Sequence, residues 1–341
     1  MTTMPPNRPL LLLVTGASGY LGRHLVARAG SAWRLVGTHL SRPPPPGLES
    51  YRLDIRDAAA TGTLLDELRP EVVLHTAYRQ HEPAVNLEGT RNLAVACEPI
   101  GARLVFVSTD LVFDGRRGWY RETDPPSPIE PYGASKAAAE REVLQRGGAV
   151  ARTSLIFGFD PLDPITSRLV VRPLRSGERS RLFVDEFRCP AYAPDLADAL
   201  LELARGHPSA GSGQVFRGLL HLAGPQRLSR YEFGVKLAKA LGLDPAGLEP
   251  ARQAHSGLVR SPDTSLDTSL ARRLLRSRLR SVDEAVAGKS PLPGERARVR
   301  GEPAPSPHPD PLSGERGPVV YSPAQKEVPD GGPGPTPEQA E

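Results

Sequence analysis

The sequence predicts an α/β protein with a doubly wound parallel sheet, a small C-terminal lobe and a disordered tail. Apolar runs alternate with helical stretches over the first 150 residues, as repeated βαβ units require. A glycine-rich turn joins the first apolar run to the first helical stretch. After residue 286 the composition changes to Pro, Gly, Ser and charged residues. We therefore expect three segments, at 8–150, 151–286 and 287–341.

The first segment carries the alternation on which the sheet depends. Leu10–Val14 is a continuous apolar run, which is typical of a strand buried on both faces. Further strands are predicted at Trp33–Leu40, Glu71–His75 and Arg103–Ser108, and helices at Tyr20–Ala29, Thr61–Leu68, Leu87–Cys97 and Tyr132–Arg146. The prolines of Pro43–Pro46 lack an amide hydrogen, so regular structure is excluded there.

The second segment has a mixed pattern. Ala151–Gly158 predicts a strand and a turn, and Gly218–Leu222 predicts another strand. Helices are predicted at Asp195–Ala204, at Arg230–Leu241 and at the arginine-rich Ser269–Arg280. Pro194 suits the first turn of the first of these helices, and Ser229 can cap the second.

Composition and charge exclude several classes of protein. The 341 residues are 39% hydrophobic and 24% charged, enough for one large α/β domain or one domain plus a small lobe. The net charge is +4, and the basic residues form no concentrated stripe along the sequence, so we expect no nucleic-acid partner. Cys97 and Cys189 form neither a disulfide framework nor a metal-ligand cluster, which favours buried thiols, a cytoplasmic location and no bound metal. Neither a signal peptide nor a membrane-spanning run is found.

The last segment contains a degenerate repeat, PLPGER at Pro291–Arg296 and PLSGER at Pro311–Arg316. Apolar residues are scarce here, so folding would bury too little surface to offset the entropy lost on ordering. We expect this tail to be disordered. A role in binding a partner stays open.

Gly16, Gly19 and Gly22 have the spacing G-x-x-G-x-x-G between the first strand and the first helix. A helix N-terminus presents free N–H groups and a positive dipole, which favour a pyrophosphate. Glycine lets the backbone approach the phosphates and lets the helix pack on the strand. At the start of a βαβ pattern, this spacing predicts a Rossmann-type dinucleotide-binding domain over residues 8–150. A tight turn without a ligand is the alternative.

The end of the second strand bears on which nicotinamide cofactor binds. An acidic residue there holds the ribose 2′-hydroxyl of NAD, whereas an arginine suits the 2′-phosphate of NADP. Ser41 and Arg42 follow the strand and no carboxylate does, so we expect NADPH to be preferred to NADH. Arg42 as an ordinary loop arginine is the alternative. Further on, Asp54 either accepts from the adenine amino group, with Ile55 against the ring, or caps a turn.

Tyr132 and Lys136 lie four residues apart in YGASK, which places both side chains on one face of a helix. A ketone that receives a hydride must also receive a proton, and a tyrosine can donate it. Because the ordinary tyrosine pKa is about 10, acid–base work near neutrality needs a decrease of roughly three units, which a lysine ammonium supplies. Without the glycine turn, an ordinary exposed helix face would explain this spacing better.

Ser108, Thr109 and Asp110 end a predicted strand upstream of Tyr132. Ligands of parallel sheets bind at the carboxyl ends of the strands, and a threonine there can hydrogen-bond a reacting oxygen. The intervening stretch is rich in Pro and Gly and suits one wall of a substrate cleft. The alternative for these three residues is a helix cap or turn.

Six segments together resemble the dTDP-4-dehydrorhamnose reductases, a family of the extended short-chain dehydrogenase/reductase superfamily. They are TGASGYLG, VSTDLVFDG, EPYGASKAAAE, CPAYAPDLADAL, LLHLAGPQRLSRYEFGVKLAKALGL and SPDTSLDTSLAR. The resemblance runs from about Leu10 to Val286. It implies an oxidoreductase that converts dTDP-4-dehydrorhamnose to dTDP-L-rhamnose with NADPH or NADH, and a substrate-binding role for residues 151–286.

The resemblance also implies site residues by motif position. Catalysis is assigned to Thr109, Tyr132 and Lys136. The cofactor is assigned to Gly16, Ser18, Gly19, Tyr20, Leu21, Gly22, Asp54, Ile55, Thr76, Ala77, Tyr132 and Lys136, to which the strand-end reasoning adds Arg42. The substrate is assigned to Ser108, Thr109, Asp110 and Leu155. The family often has Trp at the position of Leu155 and a longer loop after His75, which implies a pocket of different shape here.

Two other functions share these motifs. An NAD-dependent nucleotide-sugar epimerase or dehydratase is the first, and the missing carboxylate after the second strand argues against it. The second is a non-catalytic protein similar to the regulatory subunit of methionine adenosyltransferase. The altered loop and Leu155 favour it, whereas the complete set of predicted catalytic residues opposes it. A homodimer is compatible with each function.

Overall fold

The computed structural model describes residues 8–44, 46–160, 163–206, 215–257 and 259–287. The described strands are β1 Leu10–Thr15, β2 Trp33–His39, β3 Ser50–Arg52, β4 Val72–His75, β5 Arg103–Thr109, β6 Ala149–Thr153, β7 Ile156–Phe157, β8 Ser180–Phe183, β9 Phe187–Arg188, β10 Ala191–Tyr192, β11 Gly218–His221, β12 Leu228–Ser229 and β13 Leu248–Ala251. The described helices are α1 Tyr20–Arg28, α2 Ala58–Leu68, α3 Pro83–Ile100, α4 Pro131–Gln145, α5 Pro164–Thr166, α6 Arg172–Ser176, α7 Ala193–Arg205, α8 Arg230–Ala240, α9 Ser269–Leu274 and α10 Val282–Val286. The predicted tail lies outside the described residues from position 288 onward.

Seven of these strands form one parallel sheet in the order β11-β6-β5-β4-β1-β2-β3. The chain winds outward in one direction from β1 to β3 and in the other from β4 to β11, which confirms the doubly wound, Rossmann-type prediction. One apolar cluster packs α1 and α7 on one face of the sheet, and another packs α2, α3 and α4 on the opposite face. The switch between β1 and β4 therefore opens a crevice at the carboxyl ends of these strands.

A third apolar cluster forms the core of a small lobe after β6. Its buried members include Phe157, Leu182, Tyr192 and Phe233. Short strand pairs surround it, namely β7 with β10, β9 with β12, and β8 with β13. Because β11 returns to the central sheet, that sheet contains strands from both sides of position 150. The division of the chain at that position stays a prediction.

Most predicted elements of the first segment occur within a few residues of their expected ends. The predicted cap of α8 is confirmed, since Ser229 Oγ accepts from the amide of Glu232 over 3.1 Å. The prediction of one helix over Ser269–Arg280 is wrong, because α9 ends at Leu274. The carboxylate of Glu202 accepts hydrogen bonds from the backbone amides of Arg276 and Ser277, so the chain does not continue as a helix. None of the described helices has the length and apolar character needed to cross a bilayer.

Candidate active site

The turn between β1 and α1 brings backbone and helix into close contact. Gly16 has a φ of +72°, a conformation that favours glycine. A Cβ added to Gly22 would lie 2.3 Å from the carbonyl oxygen of Gly16. The amide of Gly19 donates to that same oxygen over 2.9 Å. The three glycines thus shape a backbone cradle at the N-terminus of α1, which fits a pyrophosphate.

Replacing Gly22 by alanine is expected to destabilise the protein by about 1–3 kcal/mol and to weaken dinucleotide binding, because its Cβ meets backbone that moves only if the turn opens. Gly62→Ala is the matched control, since an added Cβ on this α2 residue meets no atom within 4 Å. The control should gain up to about 1 kcal/mol. Thermal unfolding with and without NADPH measures both effects, and equal melting temperatures for the two variants would contradict the prediction.

A cleft of about 210 Å³ runs along the carboxyl ends of β1, β2 and β4. The predicted cofactor residues that line it are Gly16, Ser18, Gly19, Arg42, Asp54, Ile55, Thr76 and Ala77. The other predicted cofactor residues, Tyr20, Leu21, Gly22, Tyr132 and Lys136, do not line it. Instead, the hydroxyl of Tyr20 donates to Asp160 over 2.8 Å. Tyr78, which was not predicted from the sequence, also lines the cleft.

Of the two alternatives for Asp54, a contact with adenine or a turn, the structure shows the turn. Its Oδ1 accepts from the amide of Arg56 over 3.0 Å, and its Oδ2 accepts from the Arg56 guanidinium over 2.6 Å. These hydrogen bonds hold the pKa of Asp54 below its ordinary value. Asp54 also lines the cleft beside Ile55, so a contact of either residue with a cofactor stays a prediction.

Thr109 and Tyr132 come together where β5 ends and α4 begins. Burial raises the pKa of Tyr132, as do Tyr78 and Asp110, whereas the neighbouring Thr109 hydroxyl lowers it. The net direction is upward, opposite to the decrease that the Tyr–Lys spacing predicts. Burial is the reason, since it penalises the charged phenolate. Tyr132 is therefore a protonated phenol at neutral pH, which is the form that donates a proton.

Lys136 lies one turn further along α4 and binds the backbone of β5. Its Nζ donates to the carbonyl oxygen of Val107 over 2.6 Å and lies 4.0 Å from the ring centroid of Phe106. Burial lowers the pKa of Lys136 to about 7, and Glu140 opposes this shift. Lys136 thus shares a helix with Tyr132, and its ammonium is held by the strand that ends in Thr109.

A buried ion pair lies next to Lys136. Glu140 of α4 and Arg152 of β6 form two hydrogen bonds, of 2.9 Å from Nε to Oε1 and 2.6 Å from Nη2 to Oε2, with both side chains 2% exposed. Ser108 Oγ also donates to Glu140, over 2.5 Å. Neither member of the pair was predicted, although Glu140 follows Lys136 by one helical turn. The pair fixes α4 to the sheet and gives Ser108 an internal partner.

Asp110 also has internal partners, although the resemblance assigns it to the substrate. Its Oδ2 accepts from Ser154 over 2.7 Å and from Thr264 over 2.8 Å, and it lies 3.5 Å from Arg188 Nε. Asp110 is 4% exposed, so its carboxylate belongs to the packing around the site. Leu155 is partly buried and packs against the apolar cluster of the small lobe.

His75 ends β4 and is buried between two hydroxyl groups. Its Nδ1 lies 2.6 Å from Thr15 Oγ1, and its Nε2 lies 3.0 Å from Thr90 Oγ1. Burial lowers the pKa of His75 to about 3, and the charge of Lys136 contributes to the decrease. A neutral imidazole, held by the two hydroxyl groups, therefore lies at the end of β4, next to Thr76 and Ala77.

We expect acid to destabilise the protein below pH 6.5. Burial lowers the pKa of His75 to about 3 and that of His221 to about 4, from an ordinary value of 6.5. Between these limits the unfolded chain binds protons that the folded protein does not. The free energy of unfolding therefore decreases as the pH is lowered below 6.5, by up to about 1.4 kcal/mol per pH unit for each histidine. Urea unfolding of wild type and His221→Gln should show a shallower slope for the variant, and identical slopes would argue against this origin.

The sequence matches the model of the RmlD substrate binding domain family over residues 10–289, which is most of the chain. The chain belongs to this family. As a family member it is 34% identical to dTDP-4-dehydrorhamnose reductase of Streptomyces griseus over 308 residues, which cover 84% of this chain and 91% of the relative. The match confirms the resemblance to the dTDP-4-dehydrorhamnose reductases.

Two further comparisons place this family member among related proteins. It is 29% identical to methionine adenosyltransferase 2 subunit beta of Xenopus tropicalis over 283 residues, covering 78% of this chain and 82% of the relative. The solved structure of MoeE5 in complex with UDP-glucose and NAD is 26% identical, has a TM-score of 0.68, and is matched over 82% of this chain and 96% of that one. Within the described residues, no group of three or more His, Cys, Asp or Glu could hold a metal ion.

Proposed function

We propose that this protein reduces the 4-keto group of a nucleotide-sugar, dTDP-4-dehydrorhamnose above all, to give dTDP-L-rhamnose. The observation that carries the proposal is the pairing of Thr109 with a protonated Tyr132 at the carboxyl edge of the sheet that bears the glycine cradle. The identity to a dTDP-4-dehydrorhamnose reductase supports the same reaction.

In this reaction each residue of the site has a separate role. The cleft lined by Gly16, Ser18 and Thr76 would hold a nicotinamide dinucleotide, which would supply the hydride for the carbonyl carbon. Tyr132 donates its phenolic proton to the carbonyl oxygen, and the raised pKa of Tyr132 suits this direction because the phenol starts protonated. Thr109 donates a hydrogen bond to the same oxygen as negative charge develops there. Lys136, in its protonated form, supplies positive charge on the same helix, which stabilises the phenolate left on Tyr132.

The preferred cofactor in this proposal is NADPH. Arg42 is exposed and lines the cleft beyond the end of β2, and no ion pair of it is seen in the described part of the chain. We expect Arg42→Ala to raise the KM for NADPH about tenfold while changing the KM for NADH little, because only NADPH carries the 2′-phosphate. Arg34→Ala, near the opposite end of β2, is the control. Equal changes in the KM for NADPH and the KM for NADH would show that Arg42 does not contact the 2′-phosphate.

The assay for the function combines purified protein, NADPH and a 4-keto nucleotide-sugar. We expect one NADPH to be oxidised for each sugar reduced. An epimerase or dehydratase would instead retain bound NAD and consume no NADPH. The similarity to methionine adenosyltransferase 2 subunit beta supports a second candidate, a regulatory subunit. Co-purification of a synthetase without any reductase activity would favour it.

A further inference from the structure

The loop after β4 places an exposed tyrosine beside the proposed acid. Tyr78 is 56% exposed, yet the centroid of its ring lies 5.9 Å from that of Tyr132, with the ring planes inclined by 53°. Rings at this separation are in attractive contact. Tyr78 also lines the cleft, together with Gly16 and Ala77. A large aromatic ring left uncovered inside a cleft is a candidate ligand contact.

The loop that carries Tyr78 is tied to the helix that carries Tyr132. Asn86 of α3, which is 1% exposed, accepts from the amide of Arg79 over 3.0 Å and donates to the carbonyl oxygen of Arg79 over 2.8 Å. Asn86 Nδ2 also donates to Ser135 Oγ over 3.1 Å, and Ser135 Oγ donates to the carbonyl oxygen of Tyr132 over 2.8 Å. The buried side-chain amide of Asn86 therefore links the backbone next to Tyr78 to the first turn of the helix that carries Tyr132. Because the loop backbone next to Tyr78 is held in advance, a ligand that binds there does not have to order the loop.

We propose that Tyr78 is a sugar-positioning residue, whose open ring packs against the apolar C–H face of the hexose and holds the keto carbon near Tyr132. This rests on the proposed function. A pyranose ring has an apolar face of about the size of a phenol ring, so the two surfaces match. The packed sugar also excludes water from one side of the carbonyl group, which strengthens the hydrogen bonds made there.

The test compares nucleotide-sugars with the bare nucleotides. Binding of dTDP-glucose and dTDP, and of UDP-glucose and UDP, is measured by calorimetry in the presence of NADP⁺. Wild type is compared with Tyr78→Phe, Tyr78→Ala and Tyr51→Ala. Tyr51 is the matched control, because it is an exposed tyrosine outside the cleft lining whose hydroxyl donates to Glu49 over 3.0 Å.

We expect Tyr78→Ala to weaken binding of the preferred nucleotide-sugar about tenfold while binding of its bare nucleotide stays within about twofold, since only the sugar meets the ring. Tyr78→Phe and Tyr51→Ala should bind like wild type. A loss for Tyr78→Ala that is equal for nucleotide and nucleotide-sugar, or no loss at all, overturns the proposal. Thermal unfolding verifies that Tyr78→Ala is folded.

Failure of the proposed function gives a different result. A wild-type protein that binds a nucleotide-sugar more tightly than its nucleotide but oxidises no NADPH refutes the reduction, while the Tyr78 comparison remains measurable. A wild-type protein that binds none of the four ligands overturns both proposals.

Discussion

Tyr132→Phe is expected to lower kcat/KM for the nucleotide-sugar about a thousandfold. The change removes the phenolic oxygen, so no proton reaches the carbonyl oxygen from this position, and general acids of this kind contribute about 10²–10⁴. The phenylalanine ring keeps the contact with Tyr78, so the fold and NADPH affinity should be unchanged. Initial rates of NADPH oxidation and a separate NADPH titration measure the two quantities.

Tyr78→Phe provides the control for this variant, because it removes the same atom from the neighbouring ring. It should retain most of the wild-type kcat. If Tyr132→Phe kept more than about a tenth of the wild-type rate, Tyr132 would not be the acid. If both variants lost activity equally, the proton would be shared between the two phenols.

Arg152→Leu is expected to destabilise the protein by about 3–5 kcal/mol. The variant leaves the buried carboxylate of Glu140 without its cation, and removing one partner of a buried ion pair has this effect. Arg28→Leu is the matched control, since Arg28 pairs with Asp198 at the surface, where the side chains are 41% and 38% exposed. The control should lose less than about 1 kcal/mol. Urea unfolding measures both.

The double variant Arg152→Leu/Glu140→Leu separates the loss of the pair from the exposure of a lone charge. Because both charges are removed, it should recover much of the stability that the single variant loses. A single variant that is less stable by under about 1 kcal/mol would show that water reaches Glu140. A double variant as unstable as the single one would assign the loss to packing around Arg152.

The central sheet was predictable because its signals are local. A parallel strand buried on both faces needs a continuous apolar run, and β1 and β5 show one. The glycine cradle was equally predictable, since the φ of Gly16 favours glycine and a Cβ on Gly22 would meet the carbonyl oxygen of Gly16.

The small lobe was less predictable because its elements depend on distant residues. Strands of two residues, such as β7 and β9, have no periodicity of their own and form only where a partner strand lies beside them. The arginine-rich helix was overpredicted for the same reason. Its pattern is helical, but the carboxylate of Glu202, which is distant in sequence, captures the amides of Arg276 and Ser277.

By itself, the sequence determined the parallel sheet, the glycine cradle and the placement of Tyr132 and Lys136 on one helix, because each follows from residue spacing along the chain. Only the tertiary structure decided the charge of these groups and the neighbours they have. Burial outweighs the hydrogen bond from Thr109 and raises the pKa of Tyr132, and the loop after β4 brings Tyr78 against Tyr132. Both effects depend on what surrounds a side chain in three dimensions, and spacing along the chain carries no information about that.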